Sequence, residues 1–290
     1  MELKKELGLL EVFCISSGAM ISSGLFILPA LAYAKAGPAM IMSYVLASLL
    51  VIPTILSKAE LSTAMPKAGG IYYFTDRSMG PMMGTLGGIA DWFSLAFKSA
   101  FALLGMGIFM TLLNPGLTTI QIKLIAVTFC LMFTAINLWE VKLAARVQVF
   151  MVLILIALLI LYVVVGAFFI DMTRFDGFAP KGMGAVLTTT GLIFVSFAGT
   201  TKVAAIAAEV RNPGRNLPLG MFLSWGVVSI LYFLVIFVTI GIADPEGLAS
   251  SLTPISLGAG ATMGLIGAVI MSIAAMFAFI STGNAGILAA

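Results

Sequence analysis

Residues 18–30 read GAMISSGLFILPA, inside a stretch, 8–35, that is otherwise apolar. A membrane-crossing helix needs about 20 mostly apolar residues, and this stretch supplies them. Its middle, Met20-Ile21-Ser22-Ser23-Gly24, is small and polar. Serine offers the backbone competing hydrogen bonds, and glycine loses more entropy than other residues when fixed in a helix. The sequence therefore predicts a helix broken at the depth where an unpaired backbone group costs most. A half-helix starting near Gly24 would present free N–H groups and a positive dipole end, suited to a carboxylate. The half-helix ending before it would leave free carbonyls, suited to an ammonium or a sodium ion. The same small residues also suit close packing between helices, so a single break does not separate the two readings.

The composition makes lipid the solvent. Of 290 residues, 61% are hydrophobic and 9% charged, against about a quarter charged in soluble domains. The formal net charge is +3 without a basic tract, so no nucleic-acid partner is expected. With no histidine, imidazole metal sites and histidine catalysis are excluded. Cys14 and Cys130 fall in apolar segments and imply neither a disulfide framework nor a zinc site. Neither HExxH nor GxSxG occurs, so hydrolase chemistry finds no constellation, and no enzyme activity or cofactor is expected. A channel would want rings of carbonyls or charges along a continuous pore, and none is legible. The start, Met1-Glu2-Leu3-Lys4-Lys5-Glu6, leads into a span longer than a signal core, so no cleaved leader is expected.

Apolar runs predict membrane helices over 8–35, 38–57, 82–112, 118–138, 146–170, 184–208, 217–242 and 262–290. Turn chemistry separates them: Gly37-Pro38, Gly80-Pro81, Asn114-Pro115-Gly116, Asn212-Pro213-Gly214 and Asp244-Pro245. The whole of 1–290 reads as one transmembrane domain. With the N-terminus in the cytoplasm, Lys4, Lys5, Lys58, Lys67, Arg77, Lys142, Arg146, Arg211 and Arg215 all fall inside. Only Lys35, Arg174 and Lys181 fall outside, and Lys98, Lys123 and Lys202 lie within spans. That bias sets the orientation and points to a multi-pass protein of the cell membrane. The last span runs to Ala290 without a tail, from which the chain is expected to be a piece of a longer protein.

The sixth span has a fault of its own. LIFVSFAGTTKVAAIAAEV, 192–210, places Ser196, Gly199, Thr200 and Thr201 in mid-span. Two glycine-interrupted spans in corresponding positions point to an inverted-repeat transporter, with a first repeat over 1–170 and a partial second over 184–290. Five helices per repeat is an odd number, so the second repeat would insert with opposite topology.

The residues around the breaks resemble the amino acid–polyamine–organocation transporter superfamily. KKELGLLEVFCISSGAMISSGLFILPA, 4–30, is similar to its first helix, and AELSTAMPKAGGIYYFTDRSMGPMMGTLGGIADW, 59–92, to the cytoplasmic segment leading into its third. SFAGTTKVAAIAAEVRNPGRNLPLG, 196–220, is similar to its sixth helix and the loop after it. The resemblance implies an all-α fold of two inverted five-helix repeats with helices 1 and 6 broken. On that pattern this chain ends within helix 8 and its second repeat is incomplete. The implied function is secondary active transport of amino acids by alternating access. A polyamine or organocation exchanger and an inactive partial transporter are the alternatives.

The same resemblance implies the site. The substrate carboxylate would meet Ser23 and the N–H groups around Gly24, and its ammonium the carbonyls of Met20, Val195 and Ala198. With the rest of the two breaks, the candidate substrate-binding residues are Met20, Ile21, Ser22, Ser23, Gly24, Val195, Ala198 and Gly199. Ser22 replaces a usual glycine, Val195 stands where an aromatic gate is common, and Thr201 where an acid often sits. Ser281 and Thr282 align with a hydroxyl pair that sodium-coupled relatives use, which implies sodium at Ala19, Met20, Ser281 and Thr282. Such hydroxyls also bond back to their own helix. Some proton-coupled or uncoupled relatives carry a helix 5 lysine, and 148–169 has none. Lys98 and Lys202 are intramembrane charges and hence candidates for function or coupling. Asp91 lies two turns before Lys98 on the same face, and lysines that reach toward a helix end are the alternative. A proton is therefore the other candidate coupling ion.

The orientation has a direct test. Single cysteines placed at Lys67 and Asp244, with Cys14 and Cys130 replaced, should react with impermeant reagents from opposite sides of sealed cells. Labelling of both from outside refutes an inside N-terminus.

Overall fold

A computed structural model of the chain describes residues 5–67, 69–139 and 141–289. Lys4 and the side chain of Thr201 lie outside the described set. The helices are α1 (Leu9–Met20), α2 (Ser23–Phe26), α3 (Leu28–Ala36), α4 (Met40–Leu50), α5 (Ile52–Ala64), α6 (Gly70–Met79), α7 (Pro81–Leu113), α8 (Thr119–Trp139), α9 (Val141–Gly166), α10 (Gly182–Phe194), α11 (Pro213–Ile242), α12 (Pro245–Ser250) and α13 (Pro254–Ala289). Among the described residues no strand forms, only an isolated bridge between Leu7 and Val210. Among the described residues seven helical stretches are long and apolar enough to cross a membrane, and Leu9–Met20 is a shorter apolar helix. The protein is an all-α polytopic membrane protein. One of the seven, Leu28–Ala64, turns at Gly37, whose φ of +64° a residue with a side chain rarely adopts. The Gly37-Pro38 turn expected from the sequence thus separates α3 from α4.

The first break falls where the small polar residues predict it. After Met20 the backbone leaves the helix at Ile21 (φ −78°, ψ 97°) and Ser22 (φ −155°, ψ −125°). A single turn, α2, follows, and Ile27 then leads into α3. The second break takes another form. α10 ends at Phe194, and Val195–Ala204 is a 3₁₀ helix of ten residues. Runs beyond three or four residues are uncommon, because 3₁₀ hydrogen bonds are poorer than α-helical ones. α13 is divided at Gly264 (φ +62°), where the expected span 262–290 begins.

The two breaks pack on each other, and glycine makes that possible. A Cβ at Gly199 would fall onto the backbone of Ala19 and Met20. α1 also lies against α9, α11 and α13, while α13 runs along α7 and α9. Gly220 of α11 fits over Val12, and Gly18 of α1 fits against Gln148 and Val152. In a membrane, where apolar burial gains little over lipid, such close backbone approach is a main source of helix association.

Backbone and side-chain contacts tie segments together at each end of the bundle. At one end Glu6 and Leu7 donate to Glu209 O (2.9 and 3.0 Å), and Arg211 Nε donates to Lys5 O (3.1 Å). Burial pushes the Glu209 carboxyl above its usual range, and neighbouring Glu6 adds to the shift. At the other end Arg174 donates to Ala243 O, Lys181 donates to Ala34 O, and Ala39 N donates to Phe178 O at 2.8 Å. Lys35, Arg174 and Lys181 therefore share one end of the bundle, and Lys5 and Arg211 the other.

Gly199→Ala puts a methyl group where backbone already stands. It should destabilise the protein by about 1–3 kcal/mol, the usual cost of overpacking, seen as a lower melting temperature in detergent. An unchanged melting temperature contradicts the close contact between the breaks.

Candidate functional site

A cavity of about 670 Å³ opens between the two breaks. The first break contributes Ser22, Ser23 and Gly24, and the 3₁₀ segment contributes Val195, Ser196 and Ala198. α7 supplies the opposite wall, with Ser94, Lys98, Phe101 and Gly105, and Phe279 of α13 closes one side. Ser22, Ser23, Gly24, Val195 and Ala198 are thus brought together at one cavity. Met20, Ile21 and Gly199 sit behind that wall, where Met20 and Ile21 are fully buried.

The hydrogen bonds at the first break show what is left for a ligand. The N–H groups of Leu25 and Phe26 return to Ser22 O at 3.0 Å, and that of Ile27 to Ser23 O. Those of Ser22, Ser23 and Gly24 have no hydrogen-bond partner among the described residues. They are the donors a carboxylate could take. Because α2 is one turn long, the macrodipole argument for this site gives way to these discrete N–H groups. Ser196 Oγ, buried in the same wall and beside Gly24, is likewise without a partner among the described residues.

The carbonyls at the break are partly committed. Tyr232 donates its hydroxyl to Met20 O (2.8 Å), and Tyr44 donates to Gly24 O (2.7 Å). The two rings meet edge to face, 5.6 Å between centroids. Each pays part of the backbone cost of the break by pairing a carbonyl that would otherwise be orphaned in a low-dielectric interior. Sequence reasoning missed both tyrosines. Their signal was a single hydroxylated ring within each of two apolar runs, MIMSYVLASLL and ILYFLVIF.

The hydroxyl pair of α13 also reaches the first break. Thr282 donates to Gly18 O at 2.7 Å and lies 3.5 Å from Ile21 O. Ser281 Oγ is 3.0 Å from Ala278 O of its own helix and 3.4 Å from Gly18 O. The carbonyls that face the pair are therefore Gly18 and Ile21. Of the neighbouring pair Ala19 and Met20, Met20 O is held by Tyr232, and the Ala19 carbonyl lies against Gly199. Gln148 borders this corner too. Its Oε1 accepts from Asn284 Nδ2 at 2.9 Å, and its Nε2 is buried without a partner among the described residues. This glutamine was legible only as a lone amide entering an apolar run.

The intramembrane charges share a second, smaller cavity of about 70 Å³, lined by Asp91, Ser94, Lys98, Lys202 and neighbours. Lys202 is 5% exposed, and its Nζ, beside Gly286, has no hydrogen-bond partner among the described residues. The one ion pair among the described residues is elsewhere, between Arg174 and Asp171 (3.9 Å). Lys98 lines both cavities. Among the described residues no cluster of three or more His, Cys, Asp or Glu is placed to hold a metal ion.

Comparison with known proteins agrees with this architecture. Residues 7–290 match the family described as amino acid permease. The branched-chain amino acid permease BcaP of Bacillus subtilis is 29% identical over 272 residues, covering 88% of this chain and 58% of that protein. The BcaP of Lactococcus lactis is 26% identical, over 84% of this chain and 58% of its own length. The methylthioribose transporter of Bacillus subtilis is 28% identical, over 82% and 55%. The chain thus spans somewhat more than half the length of these relatives.

Proposed function

The chain belongs to the amino acid permease family, and from that premise we propose that it carries amino acids across the cell membrane as a secondary active transporter. The observation that carries the reading is the cavity between the two breaks, with three unpaired backbone N–H groups on one wall. The substrate carboxylate takes the N–H groups of Ser22, Ser23 and Gly24, with the Ser23 hydroxyl beside them. The ammonium faces the 3₁₀ segment at Val195 and Ala198. Met20 O already accepts from Tyr232 and has a second lone pair to offer. A polyamine or organocation fits less well, because the described cavity lining has no carboxylate and its one charged group is Lys98.

Alternating access follows from the same elements. The breaks divide spans 1 and 6 into halves, and Gly199 on the Ala19–Met20 backbone is the point where the halves touch. In this reading 1–170 and 184–290 are inverted repeats that rock about that contact, with the N-terminus in the cytoplasm.

Sodium fits the corner between α1 and α13 better than a proton does. Gly18 O lies 2.7 Å from Thr282 Oγ1 and 3.4 Å from Ser281 Oγ, and Ile21 O lies 3.5 Å from Thr282 Oγ1, so four neutral hard oxygens gather at this corner. Such a set suits a monovalent hard cation and offers no titrating group. Lys202 is the rival: an ammonium 4 Å from sodium would oppose it by about 4 kcal/mol at an effective dielectric of 20. Its Nζ stands beside Gly286, one turn beyond Thr282.

In proteoliposomes the protein should show saturable counterflow of a labelled amino acid. An imposed sodium gradient should drive uptake, and Thr282→Ala should weaken the sodium dependence about tenfold or more while leaving the protein folded. Absence of any amino acid counterflow overturns the transport reading. Uptake that follows a pH gradient, ignores sodium and survives Thr282→Ala overturns the sodium reading alone and moves the coupling role to Lys202.

A further inference from the structure

We propose that the cavity selects amino acids with an acidic side chain, and that the Lys98 ammonium receives the side-chain carboxylate. This rests on the transport reading above and adds the substrate class to it.

Lys98 belongs to a continuous stripe. Ser94, Lys98, Phe101, Gly105 and Ile108 all line the central cavity, and their spacing of four and three residues puts them on one face of α7. The stripe is polar at Ser94 and Lys98 and apolar from Phe101 onward. A ligand anchored by its α-carboxylate at the first break therefore meets one charge on the far wall. Among the described lining residues that charge is unopposed, since no Asp or Glu lines this cavity.

The surroundings of Lys98 do not neutralise it. No ion pair and no hydrogen bond to its Nζ is present among the described residues. Asp91 shares the smaller cavity, but Lys202 shares it too, and Lys58 and Lys202 both already draw on the Asp91 charge. Lys202 and Lys98 repel each other. Lys202 Nζ sits in the space that Gly286 leaves. Lys98 lines the central cavity as well as the smaller one, so its ammonium is within reach of a ligand held between the breaks. This wall has an excess of cationic over anionic side chains, and an anionic ligand group would offset it.

A neutral side chain would displace water from Lys98 and offer nothing in exchange. Leaving a charge desolvated and unpaired is costly. A site built to pair with a substrate group rejects an analogue that lacks it. Glutamate and glutamine nearly share a shape and differ in this charge, so the pair isolates the effect. Leucine is the third probe, because the apolar part of the stripe would hold it.

The test is competitive binding of L-glutamate, L-glutamine and L-leucine to the purified protein, wild type and with Lys98→Met or Lys98→Arg. In the wild type glutamate should bind about tenfold tighter than glutamine, or more. Lys98→Met should abolish that ratio by weakening glutamate while glutamine and leucine bind as well as before or tighter, because the desolvation cost of the ammonium is gone, and their retained binding also reports that the variant is folded. Lys98→Arg should keep the preference. Glutamine or leucine binding as tightly as glutamate in the wild type overturns the proposal, whatever the variants do. Equal weakening of glutamate and glutamine by Lys98→Met also overturns it and assigns Lys98 to the α-carboxylate. If no amino acid binds at all, the transport reading fails first; if glutamine or leucine binds without a glutamate preference, only the present inference fails.

Discussion

The structure depends on the contact between two pieces of interrupted backbone. Gly199 lies against Ala19 and Met20 so closely that a methyl group would not fit. An interrupted helix in a membrane is tolerable only where its freed polar groups find protein or water. Each break is the other's neighbour and forms one wall of the cavity between them. The close approach and the cavity beside it are therefore one design. Small residues bring the backbones together, and the polar groups left over face the space between them.

The freed groups fall into two sets with different fates. Carbonyls are mostly answered from within: Met20 by Tyr232, Gly24 by Tyr44, and Gly18 by Thr282. The N–H groups of Ser22, Ser23 and Gly24 are not answered among the described residues. They border the cavity, so a single ligand can pair them together. That asymmetry is why the first break reads as a seat for a carboxylate. A change in the Tyr232 hydrogen bond is the natural way for ligand binding to be felt in α11.

Much of this was legible in the sequence. Ser22-Ser23-Gly24 marks the first break because those residues weaken a helix locally, and Gly37-Pro38 marks a turn for the same reason. Val195–Ala204 was legible as a weak point, but its 3₁₀ form was not, since that depends on packing against α1 and α11. Which carbonyls the hydroxyl pair of α13 lies beside was not legible. Facing Gly18 and Ile21 rather than Ala19 and Met20 is a matter of helix rotation, which a lone sequence does not fix. Tyr44, Tyr232 and Gln148 escaped notice because their partners are 20, 212 and 136 residues away. Lys98 and Lys202 stood out singly as charges in apolar spans. That they share a cavity wall is information only the fold holds.

The central claim is that an amino acid's carboxylate occupies the first break. Ser23 lines the cavity and is exposed, so a cysteine there, in a background without Cys14 and Cys130, can be titrated with a thiol reagent. The account predicts that a transported amino acid slows labelling of Ser23→Cys in proportion to its occupancy, while its methyl ester and its decarboxylated amine do not. Protection by the amine alone, or labelling indifferent to the amino acid whose binding is measured in the same sample, would contradict it.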